Sequence, residues 1–172
     1  MTESKTCHCH MDSPIGPLLL IGDGEALSGL HMQTRAHPPP ESDLQRPNPL
    51  GFRQAREQLA AYFAGELREF SIALRPRGTP FQKRVWEALK ALPYGTTESY
   101  AGLAEKMGSP QACRAVGAAN GRNPISIIVP CHRVIGRNGN LTGFGGGLDR
   151  KRWLLAHEAQ HSDSTFAQVR LL

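Results

Sequence analysis

Near the N-terminus the apolar residues come in short runs, Pro17-Leu18-Leu19-Leu20-Ile21 and Ala26-Leu27-Ser28-Gly29-Leu30-His31, on either side of Gly22-Asp23-Gly24. Short apolar runs joined by a Gly-Asp-Gly turn predict a β-hairpin. Residues 36–50 carry five prolines and few large apolar side chains, which predicts an irregular loop. From Phe52 the spacing changes: Phe52, Ala55, Leu59, Tyr62 and Phe63 recur at the helical period, and Gly65 stands where a left-handed cap would end the helix. Residues 71–78 contain Pro76, Gly78 and little that could pack, so they predict the connection to a second domain.

The second half reads as helices. Thr79 is placed to be an N-cap, Pro80 to be the first helical residue and Gln82 to complete a capping box. Phe81, Val85, Ala88, Leu89 and Leu92 form its apolar stripe, and Pro93-Tyr94-Gly95 stops it. Tyr100, Leu103, Ala104 and Met107 predict a short helix over 99–107, capped by Gly108, and Ser109-Pro110 starts another that runs through Ala119. Two short helices in succession make a helix-turn-helix pattern. The second is rich in small residues, which suits close approach to a surface better than reading major-groove edges. Ile125-Ser126-Ile127-Ile128-Val129 predicts a buried strand ended by Pro130. Val134-Ile135-Gly136 and Leu141-Thr142 flank Arg137-Asn138-Gly139-Asn140, a hairpin-type turn. Phe144-Gly145-Gly146-Gly147 offers bare backbone to a flat ligand. A closing helix buries Trp153, Leu154 and Leu155 and carries Glu158 near its end, and residues 161–172 form a tail.

The candidate chemistry sits after the predicted strand, where Cys131 is followed by His132. A thiolate is the best side-chain nucleophile near neutral pH, and an adjacent imidazole is able to take the thiol proton. Cys7-His8-Cys9-His10 is a second cluster of possible ligands. Strand alternation would point its cysteines and histidines to opposite faces, and four adjacent residues rarely wrap one tetrahedral ion. No metal is assigned.

Charge and cysteine count narrow the class. Twenty Lys and Arg against fifteen Asp and Glu leave a net charge of +5, which favours an anionic partner. Four cysteines are too few and too uneven for a secreted disulfide framework, and neither a signal peptide nor a long apolar span is present. The expected compartment is the reducing cytoplasm, with no membrane partner.

Pro130-Cys131-His132-Arg133-Val134-Ile135 resembles the active-site motif of the O6-alkylguanine-DNA alkyltransferases, or methylated-DNA-protein-cysteine methyltransferases. The likeness continues through Thr79-Pro80-Phe81-Gln82, Arg114-Ala115-Val116-Gly117-Ala118-Ala119-Asn120, Asn123-Pro124-Ile125, Thr142-Gly143-Phe144 and Trp153-Leu154-Leu155-Ala156-His157-Glu158. The short bacterial, constitutive type is the nearest pattern. The resemblance implies an α+β chain: a small, ribonuclease H-like N-terminal α/β domain over 1–76, then a winged-helix/helix-turn-helix domain over 77–160.

The implied activity is transfer of the alkyl group of O6-alkylguanine in double-stranded DNA to the protein's own cysteine, with O4-alkylthymine an open second substrate. It needs no cofactor and is spent after one turnover. The family docks as a monomer in the minor groove and acts on a flipped base. By resemblance Cys131 is the acceptor, His132 takes its proton, Glu158 orients His132, Asn123 braces the turn and Tyr100 donates to the guanine ring nitrogen. Arg114 fills the stack behind the extruded nucleotide. Val134 and the Cys131 backbone face the exocyclic amine, Gly145 faces the oxygen, and Phe144 and Arg133 complete the base contacts. Some members hold a structural zinc in the N-terminal domain, for which His31 or His37 would be a conceivable extra ligand here.

Two positions depart from the commoner pattern: Phe144 where many members have tyrosine, and Gly145 where serine is common. Three other readings remain open to the residues: a lesion-binding module without chemistry, which Cys131 argues against, a helix-turn-helix regulator, which would need a dimerisation element, and a cysteine hydrolase.

Overall fold

The computed structural model describes residues 6–32 and 38–162. The N-terminal part is an antiparallel sheet in the order β1 (Cys7–Met11), β2 (Leu18–Gly22) and β3 (Leu27–Met32). The predicted hairpin is β2–β3. Its turn is closed by the Asp23 carboxylate, which accepts from the backbone N–H groups of Glu25 and Ala26. On β1 the side chains alternate as strand geometry requires: Cys7 and Cys9 are buried, His8 is half-buried and His10 is exposed. His37 lies outside the described residues. Among the described residues no group of three or more His, Cys, Asp and Glu side chains could hold a metal ion.

Helix α1 (Arg53–Phe63) buries Ala55, Leu59 and Tyr62. It ends as its glycine predicts. Gly65 has a φ of 77°, its N–H donates to Tyr62 O, and the Glu66 N–H reaches back to Ala61 O, so the last carbonyls are satisfied. The connection to the second half is not idle, because the Leu27 N–H donates to Ala73 O and the Arg75 N–H donates to Leu27 O, which ties residues 73–75 to β3.

Helix α2 (Pro80–Lys90) starts on the predicted capping box, with Thr79 Oγ1 accepting from the Gln82 N–H and Gln82 Oε1 accepting from the Thr79 N–H. Its buried face is Val85, Trp86 and Leu89, while Phe81 and Ala88 are only partly covered. The Trp86 indole N–H donates to Ala119 O, which fixes α2 against a later helix. A two-residue strand β4 (Glu98–Ser99) leads into α3 (Tyr100–Lys106), a 3-10 turn at Pro110–Ala112 and α4 (Cys113–Gly121), so the helix-turn-helix is present. A 3-10 turn at Cys131–Arg133 leads into β5 (Val134–Ile135), which pairs in parallel with β4. Helix α5 (Leu148–Gln160) closes the fold. No helix of the described residues is long and apolar enough to cross a membrane.

Two local expectations are corrected. Residues 125–129 form no strand. They are buried but wound into turns, with the Val129 N–H donating to Ile125 O, the Ile128 N–H to Ser126 O, and Ile127 at a φ of 74°. One bridge, Leu30 to Ile125, joins this stretch to the N-terminal sheet. The Asn-Gly turn at 137–140 is also present, the Gly136 N–H donating to Asn140 O, yet Leu141-Thr142 forms no returning strand. The proposed tail falls, beyond Ser162, outside the described residues.

Candidate active site

The turn that carries Cys131 is held from its middle by Asn123. The Asn123 amide donates to Val129 O at 2.8 Å and its side-chain oxygen accepts from the Ile125 N–H at 3.0 Å, so one buried side chain fixes both ends of residues 125–129. Chain direction then reverses at Pro130 and Cys131, and Cys131 enters the 3-10 turn 4 % exposed. The adjacent His132 is completely buried.

Glu158, on α5, is the acceptor on which this region converges. Its Oε1 accepts from His132 Nε2 at 2.7 Å, from the Tyr62 hydroxyl at 2.8 Å and from one Arg133 nitrogen at 2.9 Å. Its Oε2 accepts from Arg133 Nε at 2.9 Å and from the Gly95 N–H at 3.3 Å. Burial opposes the charge on Glu158, but His132 and the paired Arg133 guanidinium outweigh it and hold the carboxyl well below the usual carboxylate range. Burial likewise pushes the His132 imidazole below its ordinary value, against the pull of Glu158. At neutral pH the cluster is therefore a carboxylate, a guanidinium and a neutral imidazole. An ionised carboxylate can only accept, so Nε2 carries the imidazole hydrogen and Nδ1 carries the lone pair. Among the described residues the buried Nδ1, on the residue next to the thiol, has no hydrogen-bond partner.

A second buried cation acts on Cys131. Lys151 is wholly buried, and its ammonium donates to Val134 O at 2.6 Å and to Thr142 O at 2.9 Å. Burial lowers its pKa to about 8, while interaction with Cys131 acts in the opposite direction. The Thr142 carbonyl also accepts from the Tyr100 hydroxyl at 3.0 Å. Thus α3, α5 and residues 142–145 meet at one carbonyl, beside an open cleft of about 550 Å³ lined by Tyr100, Arg114, Gly117, Phe144 and Gly145. Cys131 itself faces a much tighter crevice that shares the Phe144 and Gly145 wall and is closed from the N-terminal side by Met32.

The structure brings Cys131, His132, Glu158 and Asn123 together, and puts Tyr100, Phe144, Gly145 and the exposed Arg114 around the neighbouring cleft. Val134 is buried beneath it, its carbonyl held by Lys151. Arg133 is a correction: it is not a base contact. It is 6 % exposed, its fork is taken up by Glu158, and it also donates to Leu92 O at 2.7 Å. A buried carboxylate needs a counter-charge, and the guanidinium fork matches both of its oxygens. Two participants were missed, Tyr62 and Lys151. Tyr62 gave no signal beyond its place in an apolar stripe. Lys151 gave one: with Leu154, Leu155 and Glu158 it follows the i, i+3, i+4, i+7 spacing of a buried helix face.

The family model for the DNA binding domain of 6-O-methylguanine DNA methyltransferase matches residues 80–160, and that for the family's ribonuclease-like domain matches residues 8–76. A methylated-DNA–protein-cysteine methyltransferase of Mycolicibacterium paratuberculosis is 56% identical over 165 residues, covering 96% of this chain and 97% of the relative. One of Mycobacterium bovis is 56% identical over 148 residues, covering 86% and 89%. The solved structure of Mycobacterium tuberculosis OGT in complex with DNA superposes with a TM-score of 0.87 at 53% identity, over 91% of this chain and 94% of that one.

Replacing Arg133 by methionine leaves Glu158 buried with its guanidinium gone. The expected cost in urea unfolding at pH 7 is about 3–5 kcal/mol. A loss below about 1 kcal/mol would remove the pair from its structural role. Lys151 makes a pH prediction. Between pH 8 and the ordinary lysine value the folded protein has released a proton that the unfolded chain still holds, so stability gains from this group as pH rises through that window. The gain is up to about 3 kcal/mol. It should be missing from Lys151→Met when urea midpoints of the two proteins are compared from pH 7.5 to 10.

Proposed function

The chain belongs to the 6-O-methylguanine DNA methyltransferase family, and from that premise we propose that Cys131 is the acceptor through which it works. It is a methylated-DNA–protein-cysteine methyltransferase, a direct-reversal repair protein that binds DNA and takes the alkyl group of O6-alkylguanine onto its own cysteine. What supports Cys131 over the other thiols is the neutral imidazole that follows it, with Nε2 fixed by Glu158 at 2.7 Å and Nδ1 buried and, among the described residues, without a partner. Cys7 and Cys9 are packed in the N-terminal sheet, and Cys113 opens α4.

In the proposed reaction His132 Nδ1 receives the Cys131 proton and the resulting imidazolium is stabilised by Glu158. The sulfur attacks the alkyl carbon in line, the S–C bond forms as the C–O6 bond breaks, and the electron pair stays with the purine. Tyr100 donates to the ring nitrogen as charge develops there. Overall, the proton lost by the thiol is matched by one gained by guanine. The Tyr100 hydroxyl donates to Thr142 O at 3.0 Å, and since it carries one hydrogen it gives up that bond when it donates to the base. The product thioether cannot be cleaved by any group described around it, so each molecule repairs one lesion.

The finer partner assignments are part of the same proposal. We place residues 1–76 in a supporting domain and 77–160 in the DNA-binding and acceptor domain. The monomer docks by α4 in the minor groove, where small residues such as Gly117 allow close approach, and the target base is flipped into the cleft while Arg114 occupies its place in the stack. Phe144 supplies an aromatic wall, and the bare Gly145 backbone faces O6. The reducing cytoplasm suits a free nucleophilic thiol.

Intact-mass measurement after incubation with O6-methylguanine duplex tests the acceptor. The wild type should gain one methyl group on Cys131 and Cys131→Ser none, with DNA binding retained; a methyl found on Cys113 would sink the assignment. Arg114→Ala should slow repair of duplex at least tenfold while changing the rate with free O6-benzylguanine by less than about threefold, because a free base needs no extrusion. Equal slowing on both substrates would instead place Arg114 in the fold or the chemistry.

A further inference from the structure

We infer that Tyr62, on the N-terminal helix α1, is a positioning residue for alkyl transfer. By donating to the carboxylate oxygen that also receives the His132 N–H, its hydroxyl sets how strongly Glu158 holds the imidazole, and hence how basic Nδ1 is toward Cys131. The inference rests on the Cys131–His132–Glu158 relay proposed above.

Three donors share Glu158 Oε1: His132 Nε2 at 2.7 Å, the Tyr62 hydroxyl at 2.8 Å and an Arg133 nitrogen at 2.9 Å. A carboxylate oxygen offers about two lone-pair directions, so these donors compete for the same electron density. Tyr62 is not free to move aside. It is fully buried, its ring lies against Phe63, Phe70, Tyr94 and His157, and its backbone carbonyl accepts from His157 Nε2 at 2.7 Å, one residue before Glu158 on α5. Burial, reinforced by the Glu158 charge, raises the Tyr62 pKa well above its ordinary value, so the hydroxyl remains a donor across the working range.

Holding Glu158 in place does not depend on Tyr62. The Arg133 fork reaches both carboxylate oxygens, and the Gly95 N–H adds a further bond. The specific contribution of the phenol is therefore electrostatic. It withdraws negative charge from the oxygen that faces His132 and weakens the support that Glu158 gives to an imidazolium. The other groups acting on this pair are Arg133 from the 3-10 turn, Tyr94 from the end of the α2 connection, and Lys151 and His157 from α5. All of them are retained when only the Tyr62 hydroxyl is changed.

Two changes to the hydroxyl should move His132 in opposite directions. Tyr62→Phe removes the donor, so the His132 titration midpoint, followed by imidazole 15N NMR in the full-length Cys131→Ser protein, should rise by about half a unit. Site-specific 3-fluorotyrosine at position 62 is a stronger donor and should lower it, with the phenol and the packing kept should the phenylalanine variant not fold. With Cys131 intact, the acid limb of the single-turnover pH–rate profile should shift in the same two directions. An unmoved His132 midpoint, or a rate reduced by one factor at every pH, would overturn the inference and leave the hydroxyl a purely structural bond. Glu158→Gln separates the two levels. If it leaves the transfer rate unchanged the relay itself fails, whereas a slow Glu158→Gln protein with an unmoved His132 midpoint in the Tyr62 variants removes Tyr62 alone.

Discussion

The burial of one charged carboxylate organises this molecule. Glu158 is 1 % exposed and ionised, and the energetic cost of that position is offset only if its oxygens are fully hydrogen-bonded and an opposite charge is within contact. The donors come from three places in the chain, Tyr62 from α1, Gly95 from the turn after α2, and His132 and Arg133 from the 3-10 turn, while α5 carries the acceptor. Separation of the two halves would cost Glu158 its Tyr62 donor and its burial, while His132, Arg133 and Gly95 stay on its own side. Fold stability and the orientation of His132 thus depend on one carboxylate, which a side chain of α1 also reaches.

The segment between α4 and Cys131 shows a second constraint, the satisfaction of backbone groups in a buried stretch with no strand beside it. Ile125-Ser126-Ile127-Ile128-Val129 has the composition of a central strand. A central strand, however, needs neighbours on both edges, and β3 supplies a single bridge at Leu30. Asn123 resolves this by acting as a backbone surrogate, giving a donor to Val129 and an acceptor to Ile125. The turn so formed forces Ile127 into the left-handed region at a φ of 74°, a conformation that costs a β-branched residue on the order of 1–3 kcal/mol. That strain is held where Cys131 must be presented, and the buried Ile125, Ile127 and Val129 side chains help to hold it.

Local rules carried the reading of this chain wherever the determinant was local. The capping box at Thr79, the left-handed stop at Gly65, the β2–β3 hairpin and the paired short helices all depend on residues within a few positions of one another, and they form as their spacing predicts. The strand expected at 125–129 failed because β pairing is decided by distant partners. Arg133 failed for a related reason. A basic residue next to a DNA-repair motif reads as a DNA contact, and its true partner lies 25 residues further along the chain. Tyr62 is the extreme case, with 96 residues between its hydroxyl and the carboxylate. Helical periodicity gives a tyrosine's burial but says nothing about where its one polar atom ends.

Lys151 and Glu158 show how such information is nonetheless available in part. They share the apolar face of α5 with Leu154 and Leu155, and a charge at a position that periodicity makes internal must have found a partner or a function. Glu158 found a counter-charge. Lys151 found two carbonyls and, among the described residues, no carboxylate, and it is close enough to Cys131 for the two to influence each other. A buried cation of this kind is costly to the fold when the neighbouring sulfur is neutral and less so when it is a thiolate. Cys131 is therefore followed in the chain by a neutral imidazole and influenced by the Lys151 ammonium, and both groups are tied to the one helix that closes the structure, the imidazole through Glu158 and the ammonium as a side chain of that helix.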